Sequence, residues 1–213
     1  MKMRPIRSIP SNRLMLLSAC ITVFFGVLTL SFKEDGPGPG GSGTYTKEDS
    51  VISQKAFLKV YTVLMSPRCM NCHPSGDIPL QGDDSHLHLQ GVKRGPEGKG
   101  LYALKCSNCH QSANTPGLNM PPGVPDWHLP PPTMRMVFQG RSAHDLAQQM
   151  LDPRRNGGKS KKDLIEHMKT GLVKWAWHPG EGRTKPPLSY EAFTTQFKLW
   201  LDKGAVAPPV AAK

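Results

Sequence analysis

Two five-residue motifs constrain what this chain can fold into more than any other feature. Residues 69–73 read Cys-Met-Asn-Cys-His, and residues 106–110 read Cys-Ser-Asn-Cys-His. In a C-x-x-C-H motif, two thiols lie within reach of the two vinyl groups of a haem, and the adjacent imidazole can bind the iron. The motifs therefore predict two covalently attached c-type haems. The thioether bonds would come from Cys69, Cys72, Cys106 and Cys109, and the proximal iron ligands would be His73 and His110.

Two other chemistries use paired cysteines at this spacing. A zinc ribbon binds one metal ion with four thiolates, and an exported chain can hold two disulfides. Neither needs a histidine directly after the second cysteine of each pair, and the spacer between the pairs is longer than a usual ribbon loop. Both alternatives leave His73 and His110 without a role, so we prefer the haem interpretation.

The composition limits the fold class. Hydrophobic residues make up 38% of the 213-residue chain and aromatic residues 7%, which is little for a self-sufficient core. The 21 glycines and 21 prolines indicate that much of the chain is coil. Because haems add apolar volume, we expect an all-α, coil-rich cytochrome c-like domain packed around two covalent haems over residues 46–204, preceded by an apolar N-terminal helix.

The net charge of the chain indicates which kinds of binding partner are expected. The formal net charge is +11, but no basic stripe interleaved with aromatics and no nucleic-acid motif is present, so nucleic acid is not expected as a partner. A basic face on an electron carrier would suit an acidic redox protein or an anionic membrane surface. The alternative is an ordinary solvated surface.

Residues 1–33 have the pattern of an export signal. Basic residues precede an apolar run over residues 14–32, which as a helix would be about 28 Å long, close to the hydrocarbon thickness of a bilayer. We expect an uncleaved anchor, with a cleaved signal peptide as the alternative, and the remainder on the periplasmic side of the bacterial cytoplasmic membrane. Cys20 ends a lipobox-like sequence, but the apolar run continues after it, so lipidation is the lesser alternative. Residues 34–45, rich in Gly and Pro, predict a flexible tether.

Cap residues and apolar periodicity predict the helices of the folded part. We expect helices from Thr46 to Ser66, from Gly100 to Lys105, from Ser142 to Leu151, from Ser160 to Gly171 and from Ser189 to Lys203. The last helix should bury Phe193, Phe197, Trp200 and Leu201. Residues 74–98 should form a loop rather than a sheet, and the tail 205–213 should be disordered. Trp175 and Trp177 are expected either against a haem edge or in an ordinary core.

Three residues are candidates for the second, distal iron ligand. His88 or its neighbour His86 could approach a haem from the loop between the motifs. Met120 lies in a Pro-rich stretch of a kind that presents a thioether in cytochromes, and His128 competes with it. Methionine is also a common core filler, and histidine a common surface residue. Met134 and Met136 are weaker candidates, and His144, His167 and His178 are expected at the surface or in packing roles.

The chain also resembles a known family. The likeness rests on residues 68–74, on Met120-Pro121-Pro122-Gly123 with the Trp-His-Leu-Pro-Pro-Pro run at 127–132, and on residues 180–183. These stretches are similar to those of bacterial exported cytochromes labelled isoquinoline 1-oxidoreductase subunit, and the likeness spans about residues 57–204. A family stretch, His-x-Gln-x-Val-x-Arg-Gly, matches residues 88–95 and favours His88 over His86. The long apolar run of the leader need not be shared with the family.

The resemblance implies an electron donor, and the haem motifs imply electron transfer. The family label implies electrons accepted from a molybdenum hydroxylase that oxidises aldehydes or N-heterocycles, and this chain shows no molybdopterin or iron–sulfur motif of its own. We expect one-electron transfer between such a dehydrogenase and a respiratory-chain acceptor, as a carrier or as the cytochrome subunit of an oxidoreductase. The alternative is a dihaem enzyme, peroxidase-like or a small-anion oxidase, with one open iron. A haem-based sensor is a third interpretation.

Overall fold

The structure is a computed structural model that describes residues 45–210. Helix α1 spans Lys47–Leu64 and is followed by the short α2, Pro67–Met70. Four further helices come late in the chain: α3 at Ala143–Leu151, α4 at Lys161–Met168, α5 at Gly171–Trp175 and α6 at Tyr190–Asp202. Between the two groups lie two small antiparallel hairpins, in which β1 (Leu80–Gln81) pairs with β2 (His86–Leu87) and β3 (Gly100–Leu101) with β4 (Leu104–Lys105). The two 3₁₀ turns are Cys106–Asn108 and Pro132–Met134.

Side-chain caps set the helix starts, and they confirm four of the predicted starts. Thr46 accepts a hydrogen bond from the backbone N–H of Asp49, whose carboxylate accepts one from the Thr46 backbone N–H, which makes a capping box at α1. Ser160 forms the same box at α4. Ser142 and Ser189 cap α3 and α6. Each cap satisfies N–H groups that the first helical turn leaves unpaired.

The hydrophobic core is formed by α1, α3, α4 and α6, which we call the helical frame. Helix α1 packs along α6, and the rings of Phe57 and Trp200, both fully buried, lie 4.5 Å apart. The predicted inner face of α6 is confirmed, because all four of its residues are buried. Trp177 joins this core against Tyr190 and Phe193. Burial of each large apolar side chain contributes about 1.5–3 kcal/mol.

Residues 66–135, which we call the motif segment, contribute little to that core. Within this segment Leu80 and Leu129 are the buried large hydrophobics, and neither belongs to the core cluster of the helical frame. Six large hydrophobic side chains in the segment are exposed: Leu87, Leu89, Tyr102, Leu104, Leu118 and Met120. The segment that carries both C-x-x-C-H motifs thus leaves apolar surface uncovered by protein.

Two elements of the motif segment differ from expectation. Residues 100–105 form the β3–β4 hairpin rather than a helix. Gly100 and Tyr102 have φ values of 88° and 49°, and a right-handed helix does not accommodate this backbone. Any side chain at Gly100 would also collide with the Leu104 carbonyl oxygen. Residues 74–98 are mainly loop, as predicted, but include the two-residue β1–β2 ladder.

The C-terminal third also differs in two places. The helix expected to stop at Gly171 ends at Met168, and Gly171 instead begins α5 after the Thr170 N-cap. The expected disorder of residues 205–213 is not found at residues 205–208. Ala205 and Pro208 are buried, and the Val206 carbonyl oxygen accepts a hydrogen bond from the Trp200 indole. Ser53 Oγ accepts a hydrogen bond from the Val206 backbone N–H, and Gln54 Nε2 donates to the Ala207 carbonyl oxygen, so side chains of α1 hold this stretch.

Several predictions concern residues 1–44 and 211–213, which lie outside the described residues. They include the signal anchor or signal peptide, the Gly/Pro-rich tether, Cys20 and the end of the tail. Among the helices of residues 45–210, none combines the length and apolarity needed to cross a membrane. The described part is helical with little sheet, and its packing around two haems stays a prediction.

Candidate functional site

The first motif follows a single helical turn. Pro67 occupies the first position of α2, which carries Cys69, and the turn continues through Cys72 N–H to Cys69 O and His73 N–H to Met70 O hydrogen bonds of 3.2 and 3.0 Å. Residues three positions apart on a helical turn face the same side. The local backbone therefore presents the two thiols together and places the imidazole directly after them.

His73 is held by two contacts from a distant part of the chain. Its Nδ1 lies 2.7 Å from the carbonyl oxygen of Met136. Because a carbonyl oxygen only accepts, Nδ1 carries the proton and Nε2 is the unprotonated nitrogen. The ring also stacks on Phe138, with centroids 3.9 Å apart and an interplanar angle of 12°. This arrangement fixes the tautomer and orientation that a metal-ligating histidine needs.

The second motif repeats this construction with different residues. It starts in the 3₁₀ turn Cys106–Asn108, and the His110 backbone N–H donates to Cys106 O at 2.9 Å. The His110 Nδ1 lies 2.7 Å from the Pro122 carbonyl oxygen. The ring stacks on Trp127, with centroids 4.5 Å apart and planes 5° from parallel. Both motif histidines therefore have a protonated Nδ1 on a carbonyl, a stacked aromatic ring and a free Nε2.

Burial controls the protonation of the first motif. It raises the pKa of the Cys69 thiol to about 12 and that of Cys72 to about 11, and it lowers the pKa of His73 to about 4. At neutral pH the thiols are protonated and the imidazole is neutral, the form that binds a metal. A reactive redox dithiol needs the opposite, a lowered thiol pKa.

The second motif shows the same trend in a more open setting. Burial raises the pKa of Cys106 and lowers the pKa of His110. The Cys106 thiol also contributes to raising the pKa of Cys72 through space. The first cysteine of the second motif therefore lies near the second cysteine of the first motif.

The structure places the predicted distal candidates differently. His88 lies beside the second motif, with its ring centroid 6.2 Å from that of His110 and an interplanar angle of 65°. The ring of His128 is held locally, with Nδ1 at 2.5 Å from the Asp126 carbonyl oxygen. Met120 is 42% exposed. The structure therefore brings His88 to a motif histidine ring, while His86 instead bonds the Asp84 carboxylate through Nδ1 at 2.6 Å.

Buried polar atoms without a partner are concentrated beside the motifs. In the described part of the chain there are six such side-chain atoms, and all lie between residues 68 and 94: Arg68 Nε, Asn71 Oδ1, Ser85 Oγ, His86 Nε2, His88 Nδ1 and Arg94 Nε. Each unpaired buried group costs about 1–3 kcal/mol. Four of the six are guanidinium or imidazole nitrogens, of which Arg94 Nε lies 3.7 Å from Asp77 Oδ1. Such nitrogens suit a group that carries carboxylates and a metal. The residues present therefore fit a haem.

Two buried arginines are features that the sequence analysis missed. Arg94 is 1% exposed, and its Nη1 and Nη2 donate to the Pro130 and Gly76 carbonyl oxygens at 2.5 and 3.0 Å. Arg68 is 5% exposed and forms a 2.6 Å ion pair with Asp83. Both cations lower the pKa of the Cys72 thiol. The Arg-Gly end of the 88–95 stretch was the available sequence signal for Arg94.

The alternatives based on paired cysteines were compared with this geometry. The four motif cysteines are free thiols. Within residues 45–210, no cluster of three or more His, Cys, Asp or Glu side chains is placed to hold a metal ion.

Comparisons with models of protein families, with curated proteins and with solved structures gave no match to this chain.

Proposed function

We propose that the protein is a dihaem c-type cytochrome that transfers single electrons on the periplasmic side of the bacterial cytoplasmic membrane. The observation that carries the proposal is the duplicated construction of the C-x-x-C-H motifs. In each, the thiols share one turn, and the histidine places Nδ1 on a carbonyl and its ring on an aromatic neighbour. The chemistry supplied by two covalent haems would be reversible one-electron change at each iron.

In this proposal each part of the chain has a defined task. Cys69, Cys72, Cys106 and Cys109 attach the cofactors, and His73 and His110 bind the irons through Nε2. Phe138 and Trp127 hold these imidazoles in orientation. The frame provides a rigid base, since its core is complete without the motif segment.

The proposed partners follow from the same reasoning. A dehydrogenase, with a molybdenum hydroxylase as the implied class, would donate electrons, and a respiratory-chain component would accept them. Residues 14–32 would keep the protein at the membrane, or release it if they are cleaved. The basic balance of the chain favours an acidic docking surface on at least one partner.

The test is haem quantitation on protein produced with a cytochrome c maturation system. After acid–acetone extraction, the pyridine haemochrome assay should give two non-extractable haems per chain. His73→Ala and His110→Ala should each remove one haem's native spectrum, and the exposed His178→Ala is the matched control. Absence of haem with zinc present would contradict the proposal, as would two native spectra in both motif variants.

One observation favours the enzyme as a second candidate. Among the described residues, the ring of His73 pairs only with Phe138, whereas the ring of His110 also faces His88. His167 lies near enough to His73 to lower its pKa, so whether an iron bound by His73 has an open position depends on whether His167 binds it. Rapid carbon monoxide binding to one haem per chain in the ferrous protein would favour a peroxidase-like enzyme or small-anion oxidase, and absence of binding would favour the carrier.

A further inference from the structure

We propose that His88 and His110 are the two axial ligands of the haem attached to the second motif. The proposal rests on the proposed function and deepens it, because it assigns the coordination of one haem and separates the properties of the two. It selects His88 over Met120 and His128, the other two candidates for the distal ligand.

The separation of the two rings matches that of ligands across one metal ion. A metal–imidazole nitrogen bond is about 2.0–2.1 Å, and the nitrogen lies about 1.1 Å from its ring centroid, so two opposed imidazoles have centroids about 6.2–6.4 Å apart. The observed separation between His88 and His110 is 6.2 Å. The same separation and angle also occur in edge-to-face aromatic pairs, so spectra and variants decide between the two arrangements.

Each imidazole has a nitrogen that is available to a metal ion. The Nδ1 of His110 is taken by the Pro122 carbonyl oxygen, which leaves Nε2 free. The Nδ1 of His88 is buried and has no hydrogen-bond partner. Two neighbouring imidazoles, each with a nitrogen that has no hydrogen-bond partner, would be stabilised by a metal ion that both bind.

The surrounding structure fixes the relative angle of the rings. Trp127 stacks on His110 and itself meets Trp175 edge-on at 4.7 Å. The Trp175 indole donates to Asn114 Oδ1 at 2.8 Å. On the other side, the His88 backbone N–H donates to the Pro79 carbonyl oxygen at 2.9 Å, directly after β2. The angle of 65° between the imidazole planes is therefore set by packing.

Two properties follow for this haem. Bis-histidine ligation gives a lower reduction potential than histidine–methionine ligation, and it leaves no position for an external ligand. The second-motif haem should therefore be a closed, low-potential site. Any reactive or high-potential iron in the protein would be the one bound by His73.

Spectroscopy of the full-length dihaem protein is the first test. Imidazole planes far from parallel should give a highly anisotropic low-spin ferric signal in electron paramagnetic resonance. Near-infrared magnetic circular dichroism should show the charge-transfer band of bis-histidine ligation for at least one haem. If both haems have the histidine–methionine band, or a high-spin signal accounts for both, the proposal is wrong without any variant being made.

Variants then assign the ligand. His88→Ala should convert one low-spin haem per chain to a high-spin form that binds carbon monoxide when reduced, and added imidazole should restore the low-spin spectrum. His88→Met should raise one midpoint potential. His86→Ala, in the same hairpin region, is the matched control and should leave the spectra of both haems as in the wild type. An unchanged spectrum in His88→Ala, or the same conversion in His86→Ala, would overturn the assignment.

Failure of this inference and failure of the proposed function give different results. A wild-type protein without covalent haem contradicts the function itself. Two covalent haems with no effect of His88→Ala leave the function in place and contradict only the ligand. To establish which haem is affected, His88→Ala is combined with His73→Ala, since the double variant should then have two haems with altered spectra.

Discussion

Asn156 shows how one buried amide closes a chain reversal between α3 and α4. It is 1% exposed, and its side-chain nitrogen donates to the carbonyl oxygens of Met150 and Lys159 at 2.6 and 2.9 Å. Its Oδ1 accepts from the Lys159 backbone N–H at 2.8 Å. Gly157 and Gly158 follow with φ values of 76° and 75°, which an ordinary side chain would strain. These hydrogen bonds, with the two glycines, make the chain reversal between the two helices.

Replacing Asn156 with Ala should lower the free energy of unfolding by about 2–3 kcal/mol, because three hydrogen bonds are lost and buried backbone groups are left unpaired. Urea denaturation measures the change. The exposed Arg155→Ala is the control and should stay within about 0.5 kcal/mol of wild type. A loss below that value in Asn156→Ala would show that water replaces the amide without cost.

At the residue scale, the sequence predicts the motif residues but not the residues that contact their histidines. Cys69, His73 and their counterparts follow from a local pattern, so the sequence contained them fully. The Met136 and Pro122 carbonyl oxygens, and the Phe138 and Trp127 rings, reach the histidines only through the fold. No sequence spacing encodes such contacts.

At the scale of elements, an ion pair joins the start of α1 to the end of α6. Lys203 Nζ lies 2.7 Å from Asp49 Oδ1. Its hydrogen bond, together with those of Thr46, lowers the pKa of Asp49 from 3.8 to about 2. A folded-state pKa below the unfolded value means that the carboxylate contributes stability above about pH 4. The contribution is lost as the pH falls from about 4 towards 2.

Asp49→Asn should therefore lower the melting temperature at neutral pH and flatten the loss of stability between pH 4 and pH 2. Thermal melts followed by circular dichroism across this range test both effects. Glu48→Gln, which removes a neighbouring exposed carboxylate, is the comparison and should keep the wild-type slope. Equal slopes for Asp49→Asn and wild type would contradict the role of the pair.

Helices were more predictable than hairpins for a physical reason. Caps and apolar periodicity are local, so Thr46, Ser142, Ser160 and Ser189 gave four starts correctly. The strands are two residues long, too short to show alternation. The helix expected at residues 100–105 is wrong, because the positive φ values of Gly100 and Tyr102 produce a hairpin turn.

At the scale of the whole molecule, the core and the motifs occupy different parts of the sequence. The core comes from residues up to Leu64 and from Phe138 onward, with the motif segment between them. That segment has few buried apolar groups and holds all six unpartnered buried polar atoms found in residues 45–210. The stability of the motif segment is therefore expected to depend on the proposed haems, whereas the helical frame should be stable without them.

Hydrogen–deuterium exchange should show this division directly. In protein made without haem maturation, amides of α1 and α6 should stay protected, while those of residues 71–135 exchange quickly. In the dihaem protein, the same segment should exchange more slowly by roughly tenfold or more, since buried apolar contacts are gained. A variant of the helical frame such as Asp49→Asn is the control, and it should leave the exchange of the motif segment unchanged. Equal protection of the motif segment with and without haem would contradict its dependence on the cofactors.

Under the proposed function, the separation of the helical frame from the motif segment would also determine the order of folding and haem attachment. A polypeptide whose helices pack without help can finish that packing first and still offer both C-x-x-C-H sequences to the enzymes that form thioether bonds. The helical frame would already be folded, and cofactor attachment would then be the last step that makes the motif segment rigid.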